Sequence, residues 1–201
     1  MNLHDKLILT DCDGVMLSWE FEFDEWLREQ GYKKQREDCY GVDERYGISK
    51  EKAGYLIDRF NQSAAIGWLS PHKDAVKYVR KLHEEHGFVF RVITSFEKNM
   101  YSVRLRQMNL HNTFGSHVFD SIHCIGDEDK WDYLKQYEGT GCYWLEDKVK
   151  NAVKGWKLGL DCFLMTHPYN REIEHPDYPN GTRPGDIKPI ENWKSFCEWI
   201  A

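Results

Sequence analysis

The sequence predicts an α/β domain built on a mostly parallel sheet. Short β-favouring apolar runs alternate with helical patterns along most of the chain, the rhythm of parallel strands joined by helical crossovers. Several runs end in polar residues: Asp11 and Asp13, Thr94 and Ser95, Glu146 and Asp147. The 201 residues, 41% apolar and 30% charged, suffice for one domain with a large core and a modest insertion.

In chain order, residues 6–10 read as the first strand, ending in Asp11-Cys12-Asp13-Gly14. Residues 16–69 break the rhythm, with no continuous apolar strand, a helical pattern and ten aromatics. This stretch reads as a small helical insertion, and residues 1–15 with 70–201 as the core it interrupts. Ser70 as N-cap and Pro71 as first helical residue announce a helix. Its apolar positions Ala75, Val79 and Leu82 are spaced i, i+4, i+7, and Gly87 stops it. Residues 88–93 form a continuous buried strand ending in Thr94-Ser95. A helix over about 98–109, a strand over 118–125 and a helix over 130–137 follow. Residues 142–145 give a strand ending in Glu146-Asp147. Val149, Ala152, Val153 and Trp156 then fall at helical spacing, and residues 160–165 form another strand. Trp193, Phe196, Cys197 and Ile200 close the chain with an amphipathic helix.

Composition narrows the function. No run of eighteen apolar residues exists, so no membrane-spanning helix is expected. The residues before the first strand are too soon polar for a secretory signal. A formal charge of −6 argues against a partner made of long nucleic acid, while a small charged substrate stays open. Six cysteines without a Cys-x-x-Cys pair read as buried thiols in a reducing, cytoplasmic compartment. His111, His117 and His123 match neither structural period and read as surface or turn residues.

In a parallel sheet the strand C-termini lie on one edge, where ligands bind. Asp11 and Asp13, two apart in an extended chain, point to the same side, and Gly14 permits a sharp exit. Neighbouring carboxylates repel, and a divalent cation relieves the repulsion. Oxygen-only ligation, completed by Glu146 and Asp147, suits Mg²⁺. A carboxylate can attack phosphorus to form an aspartyl-phosphate, while a second one protonates the leaving oxygen and later deprotonates water. Thr94 offers a hydroxyl and a nearby backbone N–H to phosphate oxygens, and Lys130 offsets charge between nucleophile and phosphate. A calcium loop is excluded, because no EF-hand pattern follows Asp-x-Asp-Gly.

The segments Leu7-Ile-Leu-Thr-Asp11-Cys-Asp13-Gly14-Val15, Val92-Ile-Thr94-Ser95, Lys130 and Trp144-Leu-Glu146-Asp147 resemble, in this order, the four motifs of the haloacid dehalogenase-like hydrolases. The resemblance covers the whole chain and implies a three-layer Rossmann-like core, with residues 16–69 as a helical cap. It implies Asp11 as nucleophile, Asp13 as general acid/base, and Thr94, Ser95 and Lys130 as phosphate-binding residues. It implies Mg²⁺ held by Asp11, Glu146 and Asp147, helped by the backbone carbonyl of Asp13; motif IV opens in Glu where the narrower branch named next has Asp. Asp-x-Asp-Gly-Val, Thr94-Ser95, the helical cap and the late Thr166-His-Pro-Tyr-Asn-Arg171 resemble more narrowly the 5′(3′)-deoxyribonucleotidase branch. That branch implies a nucleoside monophosphate as substrate. Trp19, Phe21 and Phe23, nearest the nucleophile loop, are then candidates to stack on the base, and Lys148 is the nearest basic candidate on the opposite wall. A phosphatase for another small metabolite, such as a sugar phosphate, and a non-catalytic phosphate-binding protein are the alternatives.

Overall fold

The computed structural model describes residues 6–171 and 186–201. The expectation that no leader precedes the first strand concerns residues 1–5 and lies outside them. Among the described residues, six strands form one parallel sheet: β1 Leu7–Thr10, β2 Val89–Thr94, β3 Phe119–Cys124, β4 Tyr143–Glu146, β5 Asp161–Met165 and β6 Ile187–Ile190. Their order is β3-β2-β1-β4-β5-β6. The β1–β2 and β1–β4 ladders run parallel, pairing Thr10 with Val92 on one side and with Leu145 on the other. The connection changes side between β1 and β4, the crevice where doubly wound sheets place their ligands.

Alternation along the strands divides the core between two faces. On one face Ile8, Phe90, Leu145 and Phe163 pack under α4 (Ala75–Glu84), α5 (Met100–Phe114) and α8 (Trp193–Ile200). On the other, Leu7, Leu9, Trp144 and Cys162 pack under α6 (Lys130–Leu134) and α7 (Val149–Lys157). Trp144 and Ile8 are fully buried. Each such side chain contributes roughly 1.5–3 kcal/mol of burial. Helices on both faces explain why these strands read as continuous apolar runs.

Between β1 and α4 lie α1 (Trp19–Glu29), α2 (Val42–Tyr46), α3 (Lys50–Asn61) and a 3₁₀ turn at Ala64–Trp68. Trp19, Phe23, Trp26 and Phe60 form their aromatic nucleus, with Trp19 stacked on Phe23 at 4.7 Å between centroids. The chain leaves and returns along paired backbone: Ser18 N–H donates to Ser70 O at 2.9 Å, and His72 N–H to Met16 O at 2.8 Å.

That pairing corrects one sequence-based expectation. Ser70 and Pro71 do not start a helix; Pro71 bridges Leu17, and α4 begins at Ala75. The helix expected over 98–109 runs from Met100 to Phe114, capped by Asn99 Oδ1, which accepts from Tyr101 N–H and Ser102 N–H. Its buried face carries Arg106 and Asn109, polar residues that mask the apolar period. The helix expected over 130–137 is α-helical only to Leu134, with a 3₁₀ turn at Lys135–Tyr137. Strand β6 escapes sequence reading because Pro189 sits inside it. As the edge strand it tolerates the missing N–H. All six cysteines are free.

Candidate active site

Asp11 directly follows β1, and its N–H continues the ladder by donating to Leu145 O at 2.9 Å. Its Oδ1 accepts from Cys12 N–H at 2.7 Å. Lys130, the first residue of α6, reaches beneath it: Nζ lies 2.7 Å from Asp11 Oδ2 and 2.7 Å from Glu146 Oε2. Glu146 ends β4, and its Oε1 accepts from the N–H groups of Asp147 and Lys148. One carboxylate oxygen from each of Asp11, Glu146 and Asp147 lies within 4.8 Å of the other two, all three residues being buried. Lys130 thus pairs with two of the three carboxylates, Asp11 and Glu146.

Burial, and then the neighbouring Glu146, push Asp11 up to about 6, while Lys130 pulls it down. Burial also raises Glu146 and Asp147 above the ordinary carboxylate range. Burial works to lower Lys130, but Asp11 and Glu146 outweigh it and hold the ammonium charged. Asp147 Oδ2 accepts from the Tyr169 hydroxyl, whereas its Oδ1 is buried without a hydrogen-bond partner. An unsatisfied buried carboxylate oxygen, beside two other acids, fits a hard divalent cation.

Asp13 is placed differently from expectation. The chain turns after Cys12, with Met16 N–H donating to Cys12 O, so the extended-strand alternation fails there. The Asp13 carboxylate is held by the fully buried guanidinium of Arg106 on α5, at 2.6 Å and 3.1 Å, and does not join the acid cluster. Its side chain keeps 27% of its surface open and lines the same cavity as Asp11. Arg106 lies 4.4 Å from the Phe96 ring centroid. Nothing in the sequence pattern singles it out, since an arginine on a helix reads as solvated.

The cavity measures about 380 Å³. Asp11, Asp13, Thr94, Ser95 and Asp147 line it together with Trp19, Tyr40, Lys50, Gly54 and Asn61. Gly14, at φ +75°, carries the loop past Asp147: a Cβ there would lie 2.8 Å from Asp147 Oδ2. Lys148 lines the wall with its Nζ 4.4 Å from the Tyr40 ring centroid. Lys130 and Glu146 lie beneath this surface and do not line it. Of the three aromatic candidates, Trp19 lines the cavity. Phe21, two residues on from Trp19, is turned by helical spacing to the other side, 61% exposed and off the cavity wall; Phe23 shares the face of Trp19 but is fully buried behind it in the aromatic nucleus. Tyr40 and Tyr169 are cavity aromatics that sequence proximity to Asp11 could not select.

No family model matches the chain. An uncharacterised 32.4 kDa protein from the Gp30-rIII intergenic region of phage T4 is 29% identical over 136 residues, 64% of this chain and 48% of that protein. The chain therefore spans about half the length of the curated relative it matches. A haloacid dehalogenase-like family hydrolase from Streptococcus pneumoniae matches with a TM-score of 0.66 at 12% identity, covering 100% of both chains. The fold is that of the haloacid dehalogenase-like hydrolases. A phosphatase described for Clostridium difficile shares it (TM-score 0.62, 15% identity, 98% of each chain). So does a D,D-heptose 1,7-bisphosphate phosphatase from B. bronchiseptica in complex with magnesium and phosphate (0.58, 14%, 97% of each chain). At such identities the likeness concerns fold, and activity must be argued from the site.

Proposed function

We propose that the chain is a Mg²⁺-dependent phosphatase that forms an aspartyl-phosphate on Asp11, and that its substrate is a nucleoside 5′-monophosphate. The observation that carries this reading is Asp11 itself: a buried carboxylate braced by Lys130, on the wall of a cavity that aromatic and cationic residues also line. Likeness to a phosphatase fold complexed with magnesium and phosphate supports it. Asp11, Glu146 and Asp147 would hold the metal, which offsets charge between nucleophile and phosphate. Asp11 attacks phosphorus as the bond to the leaving oxygen breaks. Asp13, aimed by Arg106, gives that oxygen its proton and then takes one from the water that cleaves the acyl-phosphate. Thr94 and Ser95, which line the cavity with Asp11, would donate to phosphate oxygens. Trp19 and Tyr40 offer π-faces to a base, an interaction that contributes about 1–3 kcal/mol.

Lys50 and Lys148 on the walls favour a sugar phosphate as the second reading. A screen of phosphorylated metabolites with Mg²⁺, repeated in chelator, tests both. Phosphate release only with metal, fastest from nucleoside monophosphates, is the expected outcome. Asp11→Asn should lower the rate at least a thousandfold without unfolding the protein, since an amide of equal size cannot attack phosphorus. A rate above a tenth of the unmodified protein's would overturn the covalent route.

A further inference from the structure

The segment after β5 carries the motif Thr166-His-Pro-Tyr-Asn-Arg171, for which the proposed chemistry has no use, yet its side chains converge on the acid cluster. Tyr169 donates its hydroxyl to Asp147 Oδ2. Asn170 Nδ2 donates to Asp147 O at 2.7 Å and to Met165 O at 2.8 Å, which ties the end of β5 to the loop after β4. Asn170 Oδ1 accepts from His167 N–H at 2.8 Å, closing the turn on itself. His167 Nε2 donates to Gly14 O at 2.7 Å, and its ring stacks on Tyr169 at 5.0 Å and 3°. One turn therefore grips both loops that carry the acids, the one after β1 and the one after β4.

Tyr169 takes one oxygen of Asp147 and leaves Oδ1 buried and unpartnered, on a carboxylate that joins Asp11 and Glu146 in the acid cluster. A carboxylate free to rotate could turn either oxygen toward Lys148 or the cavity. With Oδ2 held by the hydroxyl and the backbone carbonyl held by Asn170, its orientation is set. Such outer partners orient carboxylate ligands and govern metal affinity.

We infer that Tyr169 is a positioning residue that presents Asp147 Oδ1 to a divalent cation, with His167 and Asn170 bracing it. The inference rests on the metal-dependent reading above and deepens it. The turn that holds Tyr169 closes through Asn170 and His167, so removing one hydroxyl leaves the turn in place.

The experiment is calorimetric titration of the full chain with Mg²⁺, in the unmodified protein and in Tyr169→Phe, which keeps the stack on His167. The unmodified protein should bind, and the variant should bind about 10–100-fold more weakly while melting at the same temperature without metal. Turnover of the variant should recover at saturating Mg²⁺, a rescue that general damage to the site would not allow. Tyr169→Leu, which also gives up the ring, should lose at least as much affinity. Equal affinity in either folded variant, or a rate that high Mg²⁺ fails to restore, overturns the positioning role and leaves the phosphatase reading standing. Absence of Mg²⁺ binding by the unmodified protein overturns the metal-dependent reading itself.

Discussion

Asp13 and Arg106 show how much one buried pair can decide. The guanidinium is fully buried and Asp13 is its carboxylate partner. Removing one member of a buried pair leaves the other charge uncompensated, at a cost of about 3 kcal/mol or more. Asp13→Asn should therefore lower stability by about 3 kcal/mol in denaturant titration. It should also slow substrates with poor leaving groups by about 10²–10⁴-fold while affecting activated aryl phosphates far less. Equal losses on both would mean that Asp13 acts through structure alone. His72 is a second buried group with a consequence. Burial pushes it down to about 3, with His167 and Lys73 adding to the shift. Between pH 6.5 and 3 the unfolded chain binds a proton there that the folded chain refuses. The stability this neutral ring allows is present above pH 6.5 and lost as the pH falls toward 3. His72→Phe should flatten the drop in melting temperature between pH 7 and 4; an unchanged slope would show that other groups govern it.

Among the elements, α3 presents Gly54 in mid-helix to the cavity. A Cβ there would meet nothing within 4 Å, so no packing requires glycine. A helix-interior glycine costs about 1 kcal/mol relative to alanine. Under the proposed function, the missing side chain leaves room in the cavity for the part of a substrate beyond its phosphate. Gly54→Ala should raise the melting temperature by about 2–4 °C. It should also raise KM for the best substrate of the screen and leave a small aryl phosphate unaffected. A stabilised variant with unchanged KM would show that the substrate does not reach α3. The same helices show where sequence reading ran short. The apolar period of α1 does not reveal that Trp19 both packs in the nucleus and lines the cavity, while Phe23 stays buried behind it. The polar residues buried on α5 hid both its length and Arg106.

At the scale of the whole molecule, the acids are held together by contacts between elements far apart in sequence. Trp193 of α8 donates Nε1–H to Val15 O at 2.8 Å, which pins the loop after β1 from the C-terminal end. Asp74, beside the start of α4, accepts from Trp193 N–H and Lys194 N–H, so α4 and α8 lock as one layer. The sheet, both helical layers and the connecting turns thus press three carboxylates against one another. A cation that binds only the folded chain relieves that repulsion and stabilises by mass action, about 2.7 kcal/mol at a hundredfold excess over Kd. Mg²⁺ should raise the melting temperature and chelator should reverse the rise; Asp147→Asn should blunt the shift. A melting temperature indifferent to Mg²⁺ would remove the metal from the cluster.

The sequence by itself determined the alternation of strand and helix, the polar ends of β1, β2 and β4, and hence the edge on which Asp11, Thr94, Glu146 and Asp147 meet. These follow from local period and from the handedness of parallel crossovers, which act over tens of residues. Tertiary structure alone decided that Asp13 turns to Arg106, that Lys130 lies beneath the cavity, and that Pro189 sits in an edge strand. It also decided that Tyr169 grips Asp147. Each of these is a contact between distant segments. It is set by which side chain fills the space that folding leaves, and no spacing along the chain encodes that.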